Sequence, residues 1–451
     1  MNTLASVEPE TRYARLGQHH IAFEVMGDGP IDVVWTVGRV GSMESEWADP
    51  EAAAFLERLA SFCRLIRYDA LGTGSSDPVP LDALPPLELS LEELMAVMDA
   101  AKSERAVLNG HGPGGQVTML AAATRPERVL GLILSHSPAR YLWAEDYPEG
   151  VPMETAEAFA HVPEEDIDRF MDMANPSRAK DPAYVRRRQQ YIRGVGGPSA
   201  WRAYTLEFMR RDVRSLLPAI HLPTLVVHKQ DTFIPVALSR YVAEAIPEAR
   251  FVLLPGADVA PFWESPEVVL ETMRDFLSSF GPESVHSAPV ARIMATLLFT
   301  DIVSSTERLQ TRGDSEWVHL LELHDSLSRR LVEEQQGRVV KTTGDGILAR
   351  FDTPGRGLLS ATALRHQLGR IGLPIRAGLH TGEVELRGDD LGGLGVHIAA
   401  RVMATAEPGE ILVSRTVRDL VAGSPFRFED RGSAELKGIE GAWQLYALAG
   451  G

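Results

Sequence analysis

The sequence predicts an α/β protein of two domains, and three observations carry that expectation. Strand-length apolar runs alternate with amphipathic helical patterns through the first 280 residues, which implies βαβ units and a parallel sheet. A Pro-, Ser- and Gly-containing stretch without periodicity, FGPESVHSAPVA at 280–291, then breaks the pattern, as domain boundaries do. After it the alternation restarts with a strand, a long helical stretch and a hairpin signal. Domains are therefore expected at 10–280 and 292–451, joined by a linker at 281–291.

In chain order, the first domain shows strands at 31–37, 64–68, 106–108, 129–135, 224–228 and 250–254. Helical patterns fall at 51–62, 91–101, 116–124 and 236–245. The charged, Met-rich segment at about 141–218 has no strand signal and reads as a helical lid over the carboxyl edge of the sheet. In the second domain a strand is expected at 293–299, helix over 306–334, then helices at 356–368 and 396–405 around a strand at 375–384. Short strands around one helix are expected over 410–448. Between the alternating runs 338–340 and 347–351 lies Lys341-Thr342-Thr343-Gly344-Asp345-Gly346. Asp-Gly there is a hairpin signal, because both residues tolerate the positive φ of a tight turn. On this hexapeptide alone, Asp345 reads equally well as turn chemistry and as a cation ligand.

Composition bounds the function. With 451 residues, 44% apolar and 24% charged, the chain is ordinary globular protein, long enough for more than one core. A net charge of −17 argues against non-specific binding of nucleic acid or an anionic membrane. A single cysteine, Cys63, excludes an intrachain disulfide and a Cys-cluster metal site. No run approaches membrane-spanning length, and the acidic amino-terminal stretch lacks a signal-peptide core. A cytoplasmic protein without membrane insertion is the expectation.

Four stretches in the first domain carry a resemblance. RYDALGTGSSDP (67–78), the glycine-rich turn Gly110-His111-Gly112-Pro113-Gly114-Gly115, HKQDTFIP (228–235) and LPGADVAPFW (254–263) together resemble the α/β-hydrolase family. In that family the resemblance implies a Ser nucleophile at the centre of a G-x-S-x-G turn, with an Asp and a His completing the triad. Here the nucleophile position is Gly112 and the His position is Val259, and only the acid, Asp231, remains. The residue after the nucleophile supplies an oxyanion-hole N–H, and here it is Pro113, which has none. A catalytically silent module is expected, regulatory or structural, with an unknown small-molecule ligand as a partner under the lid. Residual hydrolase activity is the alternative.

In the second domain, the strand at 293–299 runs into Thr300-Asp301-Ile302, a second carboxylate at a strand end just before a helix start. A carboxylate beside free helix N–H groups suits a site for phosphate and Mg²⁺. FTDIVSST (299–306), KTTGDG (341–346), the run from Asp390 through HIAARV (397–402) and ELKGIEGAWQLYAL (435–448) resemble, in order, a class III adenylate/guanylate cyclase catalytic domain. The resemblance implies a homodimer whose active sites lie between two catalytic domains. Asp301, the Ile302 carbonyl and Asp345 would hold two Mg²⁺ or Mn²⁺ ions per site. Lys341 and Asp390 from the other subunit would read adenine, making ATP the substrate and cyclic AMP the product. Arg401 would stabilise the reacting phosphate, and Lys437 would contact the phosphates. His397 stands where the commonest family residue is Asn. A guanylate cyclase and a non-catalytic nucleotide sensor are the competing readings.

Overall fold

A computed structural model describes residues 9–160, 167–281, 292–305, 308, 314–387 and 390–449. The expected linker at 281–291 thus falls almost wholly outside the described residues. The chain forms two compact units, Met1–Pro289 and Val290–Gly451, each taken by itself below.

The first unit is built on eight strands: β1 (Arg12–Leu16), β2 (His19–Met26), β3 (Asp32–Thr36), β4 (Arg64–Tyr68), β5 (Ala106–His111), β6 (Val129–Ser135), β7 (Thr224–Lys229) and β8 (Arg250–Leu254). Their order in the sheet is β1-β2-β4-β3-β5-β6-β7-β8. From β4 to β8 every neighbour is parallel, as the alternating pattern implies. The antiparallel hairpin β1–β2 at the edge was not expected from the sequence, because its Arg, Tyr and His residues mask the alternation. Helix Pro50–Ala60 shows how local chemistry sets a boundary. Asp49 Oδ1 accepts from the Glu51 and Ala52 N–H groups (2.9 and 3.2 Å), and Pro50 occupies the first turn, where no N–H is needed. The amphipathic helix Pro266–Ser278, absent from the sequence reading, packs Val269, Leu270, Met273, Phe276 and Leu277 onto the same core as Leu56 and Leu59. The 141–218 segment carries the helices Met153–Ala160, Ile167–Ala174, Pro182–Gly194 and Pro198–Arg210.

At the carboxyl ends of β3, β5, β6 and β7, four rings form a row. Trp35 stacks on His111 (6.4 Å, 9°), His111 meets His136 edge-on (5.8 Å), and His136 lies 4.7 Å from His228. Burial pushes His111 and His228 down to about 4 from the usual 6.5, and drives His136 well below its usual value too.

The second unit has β9 (Arg292–Ile302), β10 (Arg338–Thr342), β11 (Ile347–Phe351), β12 (Ile375–Arg387), β13 (Asp390–Gly392), β14 (Ile411–Ser414), β15 (Arg427–Glu435) and β16 (Ala442–Ala449). The order is β10-β11-β9-β12-β14-β16-β15, with β13 on β12. Only β12–β14 is parallel. Central β9 is buried on both faces. Leu298 and Ile302 join a core under the helices Asp314–Glu334 and Pro354–Arg370, while Ala295, Leu297 and Phe299 meet the helix Leu394–Thr405 on the other side. That last helix lies so close to β12 that a Cβ on Gly378 would stand 2.1 Å from the Met403 backbone nitrogen.

Two outcomes follow. Gly378→Ala should destabilise the second unit by about 3 kcal/mol, since backbone must move to admit the methyl group, and a denaturant midpoint within error of wild type contradicts the packing. The neutral histidine row makes the first unit acid-sensitive. Its folded form rejects a proton that the unfolded chain accepts near pH 6.5, so stability is fully present above that pH and declines toward pH 4. The loss is about 3 kcal/mol for buried His228, whose pKa falls from 6.5 to about 4. Between pH 7 and 4.5 the unfolding midpoint should fall further in wild type than in His111→Phe, which keeps the stack on Trp35 but cannot titrate.

Candidate functional site

Asp301 and Asp345 are brought to adjoining strand ends because the β10–β11 hairpin is seated on the end of β9. The Ile302 N–H donates to the Asp345 carbonyl (2.8 Å), and the Ile347 N–H donates to Thr300 Oγ1 (3.2 Å). Gly346 is required for contact rather than for the turn angle. A Cβ there would lie 1.9 Å from the Thr300 carbonyl oxygen. The positive φ of the turn belongs to Gly344 (+97°), so the expectation that Asp345 and Gly346 take it is corrected.

Each carboxylate commits one oxygen to the fold. Asp301 Oδ2 accepts from Arg376 Nε (2.9 Å) and Nη2 (2.6 Å), across the register Arg376↔Asp301 of β12 and β9. Asp345 Oδ2 accepts from Ser305 Oγ (2.6 Å), on the first turn after β9. The Oδ1 atoms have no hydrogen-bond partner among the described residues. The adjoining Ser304 is held at φ +56°, a left-handed backbone uncommon for a residue with a side chain. Two half-committed carboxylates at adjoining strand ends are suitable oxygen ligands for a hard divalent cation, which Mg²⁺ sites combine with substrate phosphates.

Lys341 is exposed on β10, four residues before Asp345. Strand β10 lies beside β13, which begins at Asp390; the Asp390 side chain is outside the described residues. His397 and Arg401 share the exposed face of the helix Leu394–Thr405, because Ile398, Ala399 and Val402 turn the opposite face inward. Neither His397 nor Arg401 has a side-chain partner among the described residues. Lys437 is exposed in the turn between β15 and β16. His380 is buried on Ser414 Oγ (2.9 Å), with its pKa lowered to about 4 by burial, which fits packing. Arg376 and Ser305 escaped the sequence reading. Arg376 sits at the start of β12 in an ordinary apolar run, and only the pairing of β12 with β9 reveals what it faces.

In the first unit, Gly112 keeps a left-handed φ of +52° at the end of β5, and a Cβ there would meet nothing within 4 Å. Pro113 directly precedes the helix Gly114–Thr124. Gly112, Pro113 and Val259 line one cavity of about 210 Å³ beneath the lid helices. Asp231 is exposed and does not line it.

Comparison with known proteins agrees with this division. Residues 35–272 match the model of the alpha/beta hydrolase family, and residues 291–450 match that of the adenylate and guanylate cyclase catalytic domain. A protein of Rhizobium meliloti named "Putative adenylate cyclase 3" is 31% identical over 160 residues, which cover 34% of this chain and 27% of that relative. The chain thus spans about a quarter of that protein's length. The pimeloyl-[acyl-carrier protein] methyl ester esterase of Nitrosomonas europaea is 29% identical over 255 residues, 55% of this chain and 95% of the esterase. The crystal structure of a bromoperoxidase from Bacillus anthracis superposes with a TM-score of 0.52 at 22% identity, covering 60% of this chain and all of that one, a likeness of fold. The chain therefore belongs to the alpha/beta hydrolase family through residues 35–272, and carries a class III adenylate/guanylate cyclase catalytic domain over residues 291–450.

Proposed function

We propose that the chain is an adenylate cyclase, converting ATP to 3′,5′-cyclic AMP and pyrophosphate at sites shared between two copies of its second domain. The first domain is read as catalytically silent. The observation that carries the cyclase reading is the pair Asp301 and Asp345 at adjoining strand ends, each carboxylate anchored through one oxygen, by Arg376 or Ser305, and without a partner at the other among the described residues.

Asp301, the Ile302 carbonyl and Asp345 would hold Mg²⁺ or Mn²⁺, and such ions supply neutralisation of the triphosphate and acidify the ribose 3′-hydroxyl. Two carboxylates and a carbonyl satisfy a hard cation with oxygen donors, and substrate phosphates complete its shell. In the reaction the 3′-oxygen loses its proton and bonds to the α-phosphorus. The bond from that phosphorus to the bridging oxygen breaks, and pyrophosphate leaves. The chain's residues contribute position and charge, since no covalent nucleophile is needed.

Lys341 offers a donor to adenine N1, and Asp390 an acceptor for the 6-amino group. Guanine presents the opposite polarity on that edge. Arg401, exposed and without a carboxylate partner among the described residues, brings a fixed fork of N–H donors to the phosphate that gains charge in the transition state. His397, one turn earlier on the same face, donates a hydrogen bond in the place of the commoner Asn. Lys437 adds a further cation for the phosphates. Exposure of Lys341, His397, Arg401 and Lys437 on one copy suits a site completed by another.

The silence of the first domain is supported by the missing nucleophile at Gly112, the missing base at Val259, the missing N–H at Pro113 and the outward position of Asp231. A module with these four departures has no path to an acyl-enzyme.

The expected outcomes concern rate and base choice. With ATP and either Mg²⁺ or Mn²⁺, Asp345→Asn should retain its fold and lose on the order of 100-fold or more in kcat. Lys341→Glu should lower kcat/KM for ATP roughly 10- to 100-fold, the worth of one charged hydrogen bond, and narrow the preference over GTP. Undiminished cyclic AMP formation by Asp345→Asn refutes the ligand role.

A further inference from the structure

We propose that the lidded cavity of the first domain binds an uncharged, largely apolar small molecule carrying a carbonyl oxygen (an ester, lactone or ketone) and holds it without turning it over. The proposal rests on the reading of this domain as silent.

The cavity is large enough for a ligand. Its volume of about 210 Å³ exceeds that of an apolar cavity on the order of 150 Å³, which stays dry and takes up benzene. Its walls are aromatic: Trp35, Tyr184, Trp201, Phe208, Phe262 and Trp263 all contribute. The place of the absent nucleophile is open space, so a ligand can approach the Gly112 backbone where a hydroxyl would otherwise stand.

Charge on the wall is already neutralised. Arg187 is paired with Asp49 (2.8 Å), and Glu46 with Arg67. His111 and His136 are neutral, because burial depresses both. A carboxylate or phosphate ligand would thus find no unpaired counter-charge, and its desolvation would go uncompensated.

What the wall does offer is hydrogen-bond donors. The Lys229 N–H donates to His136 Nε2 (3.1 Å), which places the ring proton of neutral His136 on Nδ1. That Nδ1–H has no partner among the described residues, although His136 is only 3% exposed. Trp35 Nε1 and Thr205 Oγ1, on two other wall residues, are buried and unpartnered in the same way. Arg187 Nε and His111 Nδ1 on the same wall are also buried and unpartnered among the described residues. Buried polar groups are nearly always satisfied in folded proteins, and five such atoms on the wall of one cavity point to an acceptor oxygen that the cavity receives.

The loop that in a working hydrolase presents the base has taken on a different task. The Val259 N–H donates to the Ala174 carbonyl (2.8 Å), the Ala260 N–H to Asn175 Oδ1 (3.1 Å), and the Ser177 N–H to Asp258 Oδ1 (3.0 Å). Beneath it, buried Lys229 Nζ donates to the carbonyls of Ala260 (2.9 Å) and Trp263 (2.8 Å). These bonds fasten the lid segment 174–177 to the loop 258–263. They brace the wall of the cavity with residues that have no part in hydrolysis.

The test uses the full chain and three uncharged probes: p-nitrophenyl butyrate, γ-decalactone and 2-decanone, with butyrate as the anionic control. Saturable quenching of tryptophan fluorescence or a saturable rise in unfolding midpoint is expected with at least one uncharged probe and not with butyrate. Val259→Trp, which fills the cavity, should weaken that binding at least tenfold; if it does not fold, Val259→Phe must do so in the same direction. Saturation by none of the three, or equal affinity in the filled variant, overturns the binding site. Catalytic release of p-nitrophenolate that the Val259 substitution removes overturns instead the silence on which the proposal rests, so the two failures are distinguishable.

Discussion

The second domain depends on one seating: the β10–β11 hairpin against the end of β9. The bond from the Ile302 N–H to the Asp345 carbonyl and the approach of Gly346 to Thr300 fix two strand ends at backbone distance. Arg376 pairs with Asp301, and Ser305 donates to Asp345. The same hairpin carries Lys341 on its other strand. A shift of β10 by one residue would reverse the face on which Lys341 stands.

The two domains treat inherited geometry in opposite ways. In the second, Lys437, His397 and Arg401 stand exposed, without a side-chain partner among the described residues. In the first, the turn at Gly112 takes a left-handed φ that glycine adopts freely, and Gly112 and Val259 line the cavity beneath the lid helices. Lys229, Asp258 and Glu264 instead tie the former base loop, with the Ala257 and Asp258 N–H groups donating to Glu264 (2.6 and 3.0 Å). A pocket whose wall is braced by bonds irrelevant to hydrolysis suits retention of a molecule better than its turnover.

Much of this was legible in the sequence, and what was not has physical causes. Strands at Arg64–Tyr68, Val129–Ser135 and Arg250–Leu254 were readable to the residue, because they are short apolar runs bounded by polar punctuation. The edge hairpin of β1 and β2 was not, since an edge strand need not be apolar on its outer face. Asp301 and Asp345 were visible through their motifs. Arg376 was invisible for want of a motif, and its partnership exists only once β12 lies antiparallel to β9. The turn was located correctly and its strained residue misassigned. Gly344 takes the left-handed φ, while Gly346 is small because a strand lies against it, a contact that no local pattern encodes.

The account's central claim is that each active site takes its carboxylates from one copy and its arginine from another. Complementation tests it most directly. Asp345→Asn and Arg401→Ala chains, each inactive alone, are mixed in equal amounts and allowed to exchange. Half the dimers are then mixed, and each mixed dimer has one intact site of its two, so activity should return to about a quarter of the wild-type value. A mixture no more active than its separate components contradicts a shared site.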